Sequence, residues 1–160
     1  TGIVVAHHLD PLSDTLELAR SAERVAKTVT GKHGLAITVS KRSGTDRTIK
    51  DKRVDLQARL ERMIDWRRDG ALAAGVAYEL QELDRVLGQA GLPEAALSNE
   101  ALRIVARKRE SGGDKQLDKA VTEAFQQWIE VDKLQLQELA LELIVASMFA
   151  AAIDLAKDAS

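Results

Sequence analysis

Two adjacent histidines are the residues closest to an obvious chemistry. His7 and His8 follow the apolar run Ile3-Val4-Val5, and imidazole nitrogens are frequent ligands of zinc and other transition metals. Neighbouring side chains of a strand point to opposite faces of a sheet, so the pair could not hold one ion in a simple geometry. His33 is the only other histidine, and the chain has no cysteine to complete a zinc site. The sequence therefore predicts a structural role for both histidines and no metal site.

Two clusters of basic residues could contact phosphate groups. The first consists of Lys41, Arg42, Arg47, Lys50, Lys52 and Arg53. The second, at the end of a predicted helix, consists of Arg103, Arg107, Lys108 and Arg109. Interspersed acidic residues dilute both clusters, and no aromatic side chains alternate with the basic ones to stack on bases. A solvated surface is the default interpretation, and the second cluster supplies the candidate RNA-binding residues.

The stretch Gly112-Gly113-Asp114 is the third pattern with a possible chemistry. It resembles the opening of the nucleotide-cyclase signature, in which a tight hairpin between buried strands presents carboxylates to two metal ions. Here the flanking residues are charged and favour helix, so we interpret the stretch as a helix break with Asp114 as the cap of the next helix. No Ser-His-Asp, Walker or HExxH pattern is present. Taken alone, the residues contain no complete catalytic site.

Composition is that of an ordinary soluble domain. The 160 residues are 45% hydrophobic and 30% charged, and the net charge of -2 gives no general attraction to nucleic acid or membrane. Aromatic residues are only 3% of the chain, which favours helices over sheets. The longest uncharged apolar run, 143–153, would rise about 16 Å as a helix, against a bilayer core of roughly 30 Å. We expect a buried helix, no membrane partner and, because cysteine is absent, a cytoplasmic protein.

The pattern of apolar residues changes near residue 43. Residues 2–6 and 34–40 are short β-branched runs and predict strands. Between them, Asp10-Pro11 predicts the start of a helix whose apolar residues recur at helical spacing. Residues 44–53 show no periodic apolar pattern and are interpreted as a linker. The rest of the chain predicts an all-α bundle of about five helices. These helices are expected at 54–68, 72–87, 93–110, 114–130 and 134–157.

The N-terminal part resembles one family closely. TGIVVAHHLDPLSDTLELARSAERVAK, followed by GLAITVSKRSG, resembles the second palm domain of the large subunit of type III CRISPR effector complexes. In that family a strand reading small-Gly-Ile-x-Ile-Ala-His precedes Pro-Leu, a long helix and a strand ending in Lys-Arg-Ser-Gly. The stretch 75–80, GVAYEL, resembles an early helix of the family's C-terminal helical domain. The resemblance is specific over residues 1–43 and looser over the helices.

The resemblance implies a fold and a parent protein. The fold class expected is α+β. Residues 1–43 are expected to form the end of a ferredoxin-like, GGDEF-like palm domain, residues 44–53 a linker, and residues 54–160 the helical bundle domain. Such subunits convert ATP to cyclic oligoadenylate when the complex binds target RNA, with two Mg²⁺ ions on a GGDD hairpin. Many also carry an HD nuclease domain. Since neither motif is present here, the chain is expected to be a C-terminal fragment that is inactive alone and contains no catalytic residue.

The same resemblance implies partners and candidate site residues. The helical domain is expected to pack beside small helical subunits of the complex, along the guide RNA and target RNA. Ala26-Lys27 and Gly31-Lys32-His33 resemble the end of GGDEF-type cyclases, where a Lys and an Arg neutralise nucleotide phosphates. Here the spacing is one residue longer, Lys replaces Arg and His replaces Asn. The candidates for residues near the nucleotide are Lys27, Lys32, His7 and Gly2, with fold support as the alternative for each.

Two other functions remain open at this point. One is a non-catalytic helical module that docks a neighbouring subunit or an RNA backbone. The other is the end of a diguanylate-cyclase-like domain fused to a helical regulator, against which the Lys-Arg-Ser-Gly ending and the long helical part argue.

Overall fold

The computed structural model describes residues 1–41, 44–88, 90, 93–107 and 115–158. Over these residues the chain is α+β, with one small three-stranded mixed sheet and six α-helices. It divides into two compact units, Thr1–Leu60 and Glu61–Ser160, which are described separately below. The α+β class predicted from the sequence is therefore confirmed.

The first unit is built on the sheet. Its strands are β1 (Gly2–Val5), β2 (Gly34–Val39) and β3 (Arg47–Lys52), and helix α1 (Leu12–Lys27) connects the first two. β1 is parallel to β2, β3 is antiparallel to β2, and the order across the sheet is β1-β2-β3. The predicted strand-helix-strand order is confirmed, with strand ends within one residue of those expected.

Helix α1 lies very close to the sheet because glycine faces it on two strands. A Cβ atom on Gly2 would stand 2.4 Å from the backbone nitrogen of Glu23, and one on Gly34 would stand 2.1 Å from the carbonyl oxygen of Ala26. The residues that α1 buries here are small, Ala22 and Ala26. The buried apolar residues of the unit are Ala22, Ala26, Leu35, Ala36, Ile37, Val39, Ile49, Leu56 and Leu60.

The interpretation of 44–53 as a linker is wrong for most of its length, because residues 47–52 form β3. β3 pairs along all of β2, with Ile49 opposite Ile37 and the hydroxyl groups of Thr38 and Thr48 joined at 2.9 Å. Ile49 is the single buried apolar residue of this strand. An edge strand with one apolar side chain and many charged ones shows no apolar alternation, and charge on an edge protects it from unwanted pairing.

The second unit contains the remaining helices. Helix α2 (Arg53–Arg68) begins in the first unit and ends in the second. It is followed by α3 (Gly75–Leu83), which continues into a π-helical turn (Asp84–Gly88), α4 (Glu94–Arg107), α5 (Lys115–Gln126) with a π-helical turn (Gln127–Val131), and α6 (Leu136–Asp158). Five helices after β3 match the predicted number, although α3 starts three residues later than expected.

An aromatic cluster lies in the core of the second unit. The rings of Trp66, Phe125 and Trp128 lie with their centroids 5.2 to 6.5 Å apart, and all three residues are buried. α3 packs against α6, and α4 packs against α5. Three of the five aromatic residues of the chain thus lie together in this core.

Helix α6 is the most apolar element. By length and composition its stretch Leu136–Lys157 could cross a membrane, with 44% of the most apolar window buried inside the protein. The helix was predicted at 134–157, close to its observed bounds, but the argument against a membrane span considered only the uncharged run 143–153. Residues 139–146 are almost all buried and 151–157 are exposed. Core helices of soluble proteins have the same length and composition, so this feature is weak evidence for a membrane.

Candidate functional site

Four lysines lie around the C-terminal end of α1. Lys27 is the last residue of the helix, and Lys32 lies in the turn before β2. Alternation along β3 places Lys50 and Lys52 on the same face as Thr48, which bonds Thr38 on β2. That face is the one covered by α1, since the Lys50 ammonium donates a hydrogen bond to the hydroxyl of Thr28 at 3.1 Å. These residues, Lys27, Lys32, Lys50 and Lys52, are called the lysine cluster below.

The lysine cluster has little acidic compensation. Lys27 forms an ion pair with Glu23 at 2.8 Å, and the hydrogen bond from the Lys27 ammonium lowers the pKa of Glu23. Over the part of the chain that the structure describes, no carboxylate pairs with Lys32, Lys50 or Lys52. The cluster also lies at a helix C-terminus, where cations are favoured by the helix dipole. This end of the dipole stabilises the lysines but does not itself attract an anion, so only the ammonium groups, acting as point charges, could hold a group with several negative charges such as a chain of phosphates.

Gly2 lies at this end of the sheet, but beneath α1. Because Gly2 has no Cβ atom, the backbone of Ala22 and Glu23 can lie directly against it, and any side chain here would collide with the helix backbone. Gly34 is placed in the same way against Ala26. The structure therefore gives Gly2 a packing role that brings the C-terminal half of α1, and with it Lys27, onto the sheet.

His7 lies at the other end of β1. The strand ends at Val5, so the premise that His7 and His8 belong to a strand is wrong, and their rings lie with centroids 4.4 Å apart. The His7 amide donates to Asp10 Oδ2 at 3.0 Å, and its Nδ1 accepts from the Leu9 amide at 3.2 Å. Because β1 rises about 3.3 Å per residue, His7 is well over 10 Å along the chain direction from Gly2. His7 closes a turn and is not part of the lysine cluster.

A groove at the carboxyl ends of β1 and β2 has a different character. It has a volume of about 530 Å³ and runs along α1 from Asp10 to Arg24, beside Ser40 and Lys41. Four carboxylates and two basic groups line it. Within the described residues, no group of three or more histidine or acidic side chains is placed to hold a metal ion. The excess of carboxylates makes this groove a poorer place for phosphates than the lysine cluster.

The predicted RNA-binding residues are described only in part. The Arg103 guanidinium lies 3.5 Å from Glu100, and that of Arg107 lies 3.0 Å from Glu79. Lys108 and Arg109, together with the stretch 112–114, lie outside the described residues. The two described arginines therefore face carboxylates, which lowers the net charge that they offer to a phosphate backbone.

The sequence placed Lys50 and Lys52 in a basic stretch that could contact phosphates, but it did not place them beside Lys27 and Lys32. They were assigned to a linker, in which side-chain direction has no meaning. The signal that could have found them is the alternation in RTIKDK (47–52), which places Thr48, Lys50 and Lys52 on one side and Ile49 on the other. Their position beside Lys27 follows only from the antiparallel pairing with β2.

Comparison of the chain with protein-family models, with curated proteins and with solved structures found no match. The function is therefore inferred from the residues of the chain itself and from the geometry described above.

Proposed function

We propose that this chain is part of the large subunit of a type III CRISPR RNA-guided effector complex. The unit Thr1–Leu60 would end a ferredoxin-like, GGDEF-like palm domain, and the following helices would form the subunit's helical bundle. The parent protein would act in the cytoplasm and convert ATP to cyclic oligoadenylate when target RNA is bound. The ordered sequence resemblance from Gly2 to Gly44 motivates this proposal, and the strand-helix-strand order of the same residues is compatible with it.

The observation that best supports a nucleotide-related role is the lysine cluster. A triphosphate carries several negative charges, and Lys32 and Lys50 present ammonium groups that no described carboxylate neutralises. Lys27 can join them if its ion pair with Glu23 opens, since both side chains are largely exposed. These groups would orient the phosphates and hold their charge. The Mg²⁺ ions of the parent would supply the metal assistance to phosphoryl transfer, from carboxylates outside this chain.

The free edge of β1 supports a larger sheet. The carbonyl groups of Thr1 and Val5 accept hydrogen bonds from Ala36 and Ser40, so odd-numbered backbone groups of β1 face β2. In a parallel ladder the alternate residues then face away, which leaves those of Gly2 and Val4 at the edge. This edge has no charged residue or proline to block a further strand. A palm domain with more strands than the three described would use it.

The helical unit has an assembly role in this proposal. Its helices would dock small helical subunits and lie along the guide-target duplex, with Arg103 and Arg107 as the described candidates for the RNA backbone. Both arginines form ion pairs with carboxylates, and these ion pairs would have to open before either arginine could bind a phosphate, which weakens such a contact. We therefore propose partner docking ahead of RNA contact as the role of these helices.

The proposal is tested on the complete protein. The residues that precede Thr1 are determined, and the full subunit is assembled with its guide RNA and neighbouring subunits. Incubation with ATP, with and without target RNA, should give cyclic oligoadenylate only in the presence of the target. A protein without an upstream GGDD-like hairpin, and without product, would contradict the catalytic part of the proposal. A product made from GTP instead of ATP would favour the diguanylate-cyclase alternative.

The isolated chain tests the assembly alternative. It is titrated with a guide-target duplex at several salt concentrations. Binding that weakens steeply with salt would indicate contact with the phosphate backbone, because bound cations release counterions from the nucleic acid. Binding without salt dependence, or no binding, would leave protein docking as the role of the helices.

A further inference from the structure

Two cavities adjoin at one end of the second unit. One, of about 410 Å³, lies between the π-helical turn after α3, the start of α4 and the residues that lead into α6. The other has a volume of about 650 Å³. Both are lined by Asp84, Leu97 and Gln135, so they form one continuous depression. It is called the α4–α6 groove below, and it is separate from the lysine cluster and independent of the function proposed above.

The backbone around the α4–α6 groove is irregular. Asp84 begins one π-helical turn and Ile129 lies in the other. Lys133, on the groove wall, has a φ of 59°, which a residue with a side chain rarely adopts. Turns of the π type are uncommon and occur frequently at functional sites.

One charge in the groove has no counterpart. Lys133 is bound by Glu94 at 3.1 Å, and the Arg85 Nε donates to Glu82 at 2.9 Å. Asp84 has neither a hydrogen bond to its carboxylate nor an ion pair among the residues that the structure describes. The groove therefore presents a single uncompensated carboxylate to whatever enters it.

A buried hydroxyl faces the same space. Ser98 is only 6% exposed and lines the smaller cavity with Asp84. Its hydroxyl forms no hydrogen bond within the described part of the chain. The Ser98 hydroxyl oxygen is not fully enclosed, so it is open to the cavity, where a ligand can replace water as its hydrogen-bond partner. Asp84 accepts hydrogen bonds and Ser98 can accept them as well, which suits a ligand with several N–H donors.

Apart from Gln135, the remaining described residues that line the smaller cavity are apolar. They are Leu97, Ile129, Leu134 and Leu136. An aliphatic stem would pack on these side chains while its cationic end reached Asp84, which is how lysine and arginine side chains are commonly placed. The larger cavity adds the amide side chains of Gln81, Gln135 and Gln137, which can bond the backbone of a peptide.

From this combination we propose that the α4–α6 groove binds a lysine or arginine side chain of a partner protein. The cationic end would be held by Asp84 and Ser98, the stem by the apolar wall, and the adjoining backbone by the glutamines. A nucleic acid is disfavoured as the occupant, since its phosphates would face the uncompensated charge of Asp84.

The experiment uses the complete 160-residue chain and three capped tripeptides, acetyl-Ala-X-Ala-amide. X is arginine, lysine or citrulline, the last being an uncharged isostere of arginine. Binding is measured from amide chemical shifts in NMR titrations. The arginine and lysine peptides should shift the resonances of Asp84, Ser98 and Leu134. The citrulline peptide should bind about ten-fold more weakly, because a charge-assisted hydrogen bond is lost. Since this comparison needs no variant, it does not depend on a variant's folding.

Variants locate the interaction. Asp84→Asn should weaken binding of the arginine peptide about ten-fold, and Ser98→Ala several-fold. Asp55→Asn is the matched control, since it removes the same charge from an exposed position in the first unit and should change nothing. Equal binding of the arginine and citrulline peptides, or unchanged binding by Asp84→Asn, would overturn the proposal. Tighter binding of N-butylguanidinium than of the arginine peptide would overturn the choice of a protein segment, and phosphate binding in this groove would overturn the choice of a cation.

Discussion

The close contact between α1 and the sheet makes Gly34 a position at which even a methyl group should be costly. A Cβ atom there would stand 2.1 Å from the Ala26 carbonyl oxygen and 2.9 Å from the Cβ of Val29. Ordinary contact begins near 3.4 Å, so in Gly34→Ala the helix or the strand must move by about 1 Å. The obstructing atom belongs to the backbone of a buried helical turn and cannot rotate away. Overpacking of this kind costs about 3 kcal/mol.

The consequence reaches the lysine cluster, because the turn that must move carries Lys27 and Thr28. We expect Gly34→Ala to lower the free energy of unfolding by about 3 kcal/mol and to break the Lys50–Thr28 hydrogen bond. Urea unfolding is followed at the amide resonances of β2 and β3, and the Lys50 side-chain resonances report the local change.

Gly31→Ala is the control for this substitution. Gly31 is three residues away and has open space around its Cβ position, but its φ is +93°. Its replacement should cost about 1 kcal/mol from backbone strain alone. If Gly34→Ala lost no more stability than Gly31→Ala, the close packing of α1 on the sheet would be refuted.

Three further predictions concern side chains elsewhere in the two units. Lys27→Gln should return the pKa of Glu23 toward 4.5, as measured by NMR titration of its carboxyl group, and an unchanged pKa would refute the ion pair. Because the pKa is lowered in the fold, the ion pair stabilises the protein above the unfolded-state pKa of Glu23, and this stability is lost as the pH falls through the folded-state pKa. Asp51→Ala should destabilise the first unit by about 2 kcal/mol, because the nearly buried Arg59 loses its ion pair with the Asp51 carboxylate at 2.7 Å and keeps only its other contacts. Urea unfolding checks this, and a loss under about 0.5 kcal/mol would count against it. Trp128→Ala should cost about 4 kcal/mol in thermal unfolding of the second unit, and a change under about 1 kcal/mol would contradict its place in the aromatic core.

Elements with a strong local pattern could be predicted from the sequence. β1 and β2 are β-branched runs, and Asp10-Pro11 followed by regular apolar spacing predicts α1, which the structure begins at Leu12. In β2 local preference and burial agree, since all of its residues after Gly34 are buried. In β1 and at the start of α1 the local pattern alone indicates the element, because Ile3, Val5 and Leu12 are exposed.

Elements that depend on partners distant in sequence could not be predicted in this way. β3 contributes only Ile49 to the core, and its pairing with β2 comes from backbone hydrogen bonds that any sequence can form. The π-helical turns that end α3 and α5 have no sequence signal of their own. The same holds for the candidate site: Lys27 and Lys32 were named because of a sequence resemblance at the end of α1, whereas Lys50 and Lys52 lie beside them only through the register of β3.

The lysine cluster is the central claim, and a titration of the 160-residue chain with ATP tests it most directly. Binding is measured by NMR without added metal, so that only the chain's own cations contact the phosphates. We expect shifts at Lys32 and Lys50, and an affinity about ten-fold lower in the double variant Lys32→Ala/Lys50→Ala, because two charge-assisted contacts are lost. Lys119→Ala, an exposed lysine of the second unit, should leave the affinity unchanged. Equal affinity of the double variant and the wild type, or shifts confined to residues outside the cluster, would contradict the account.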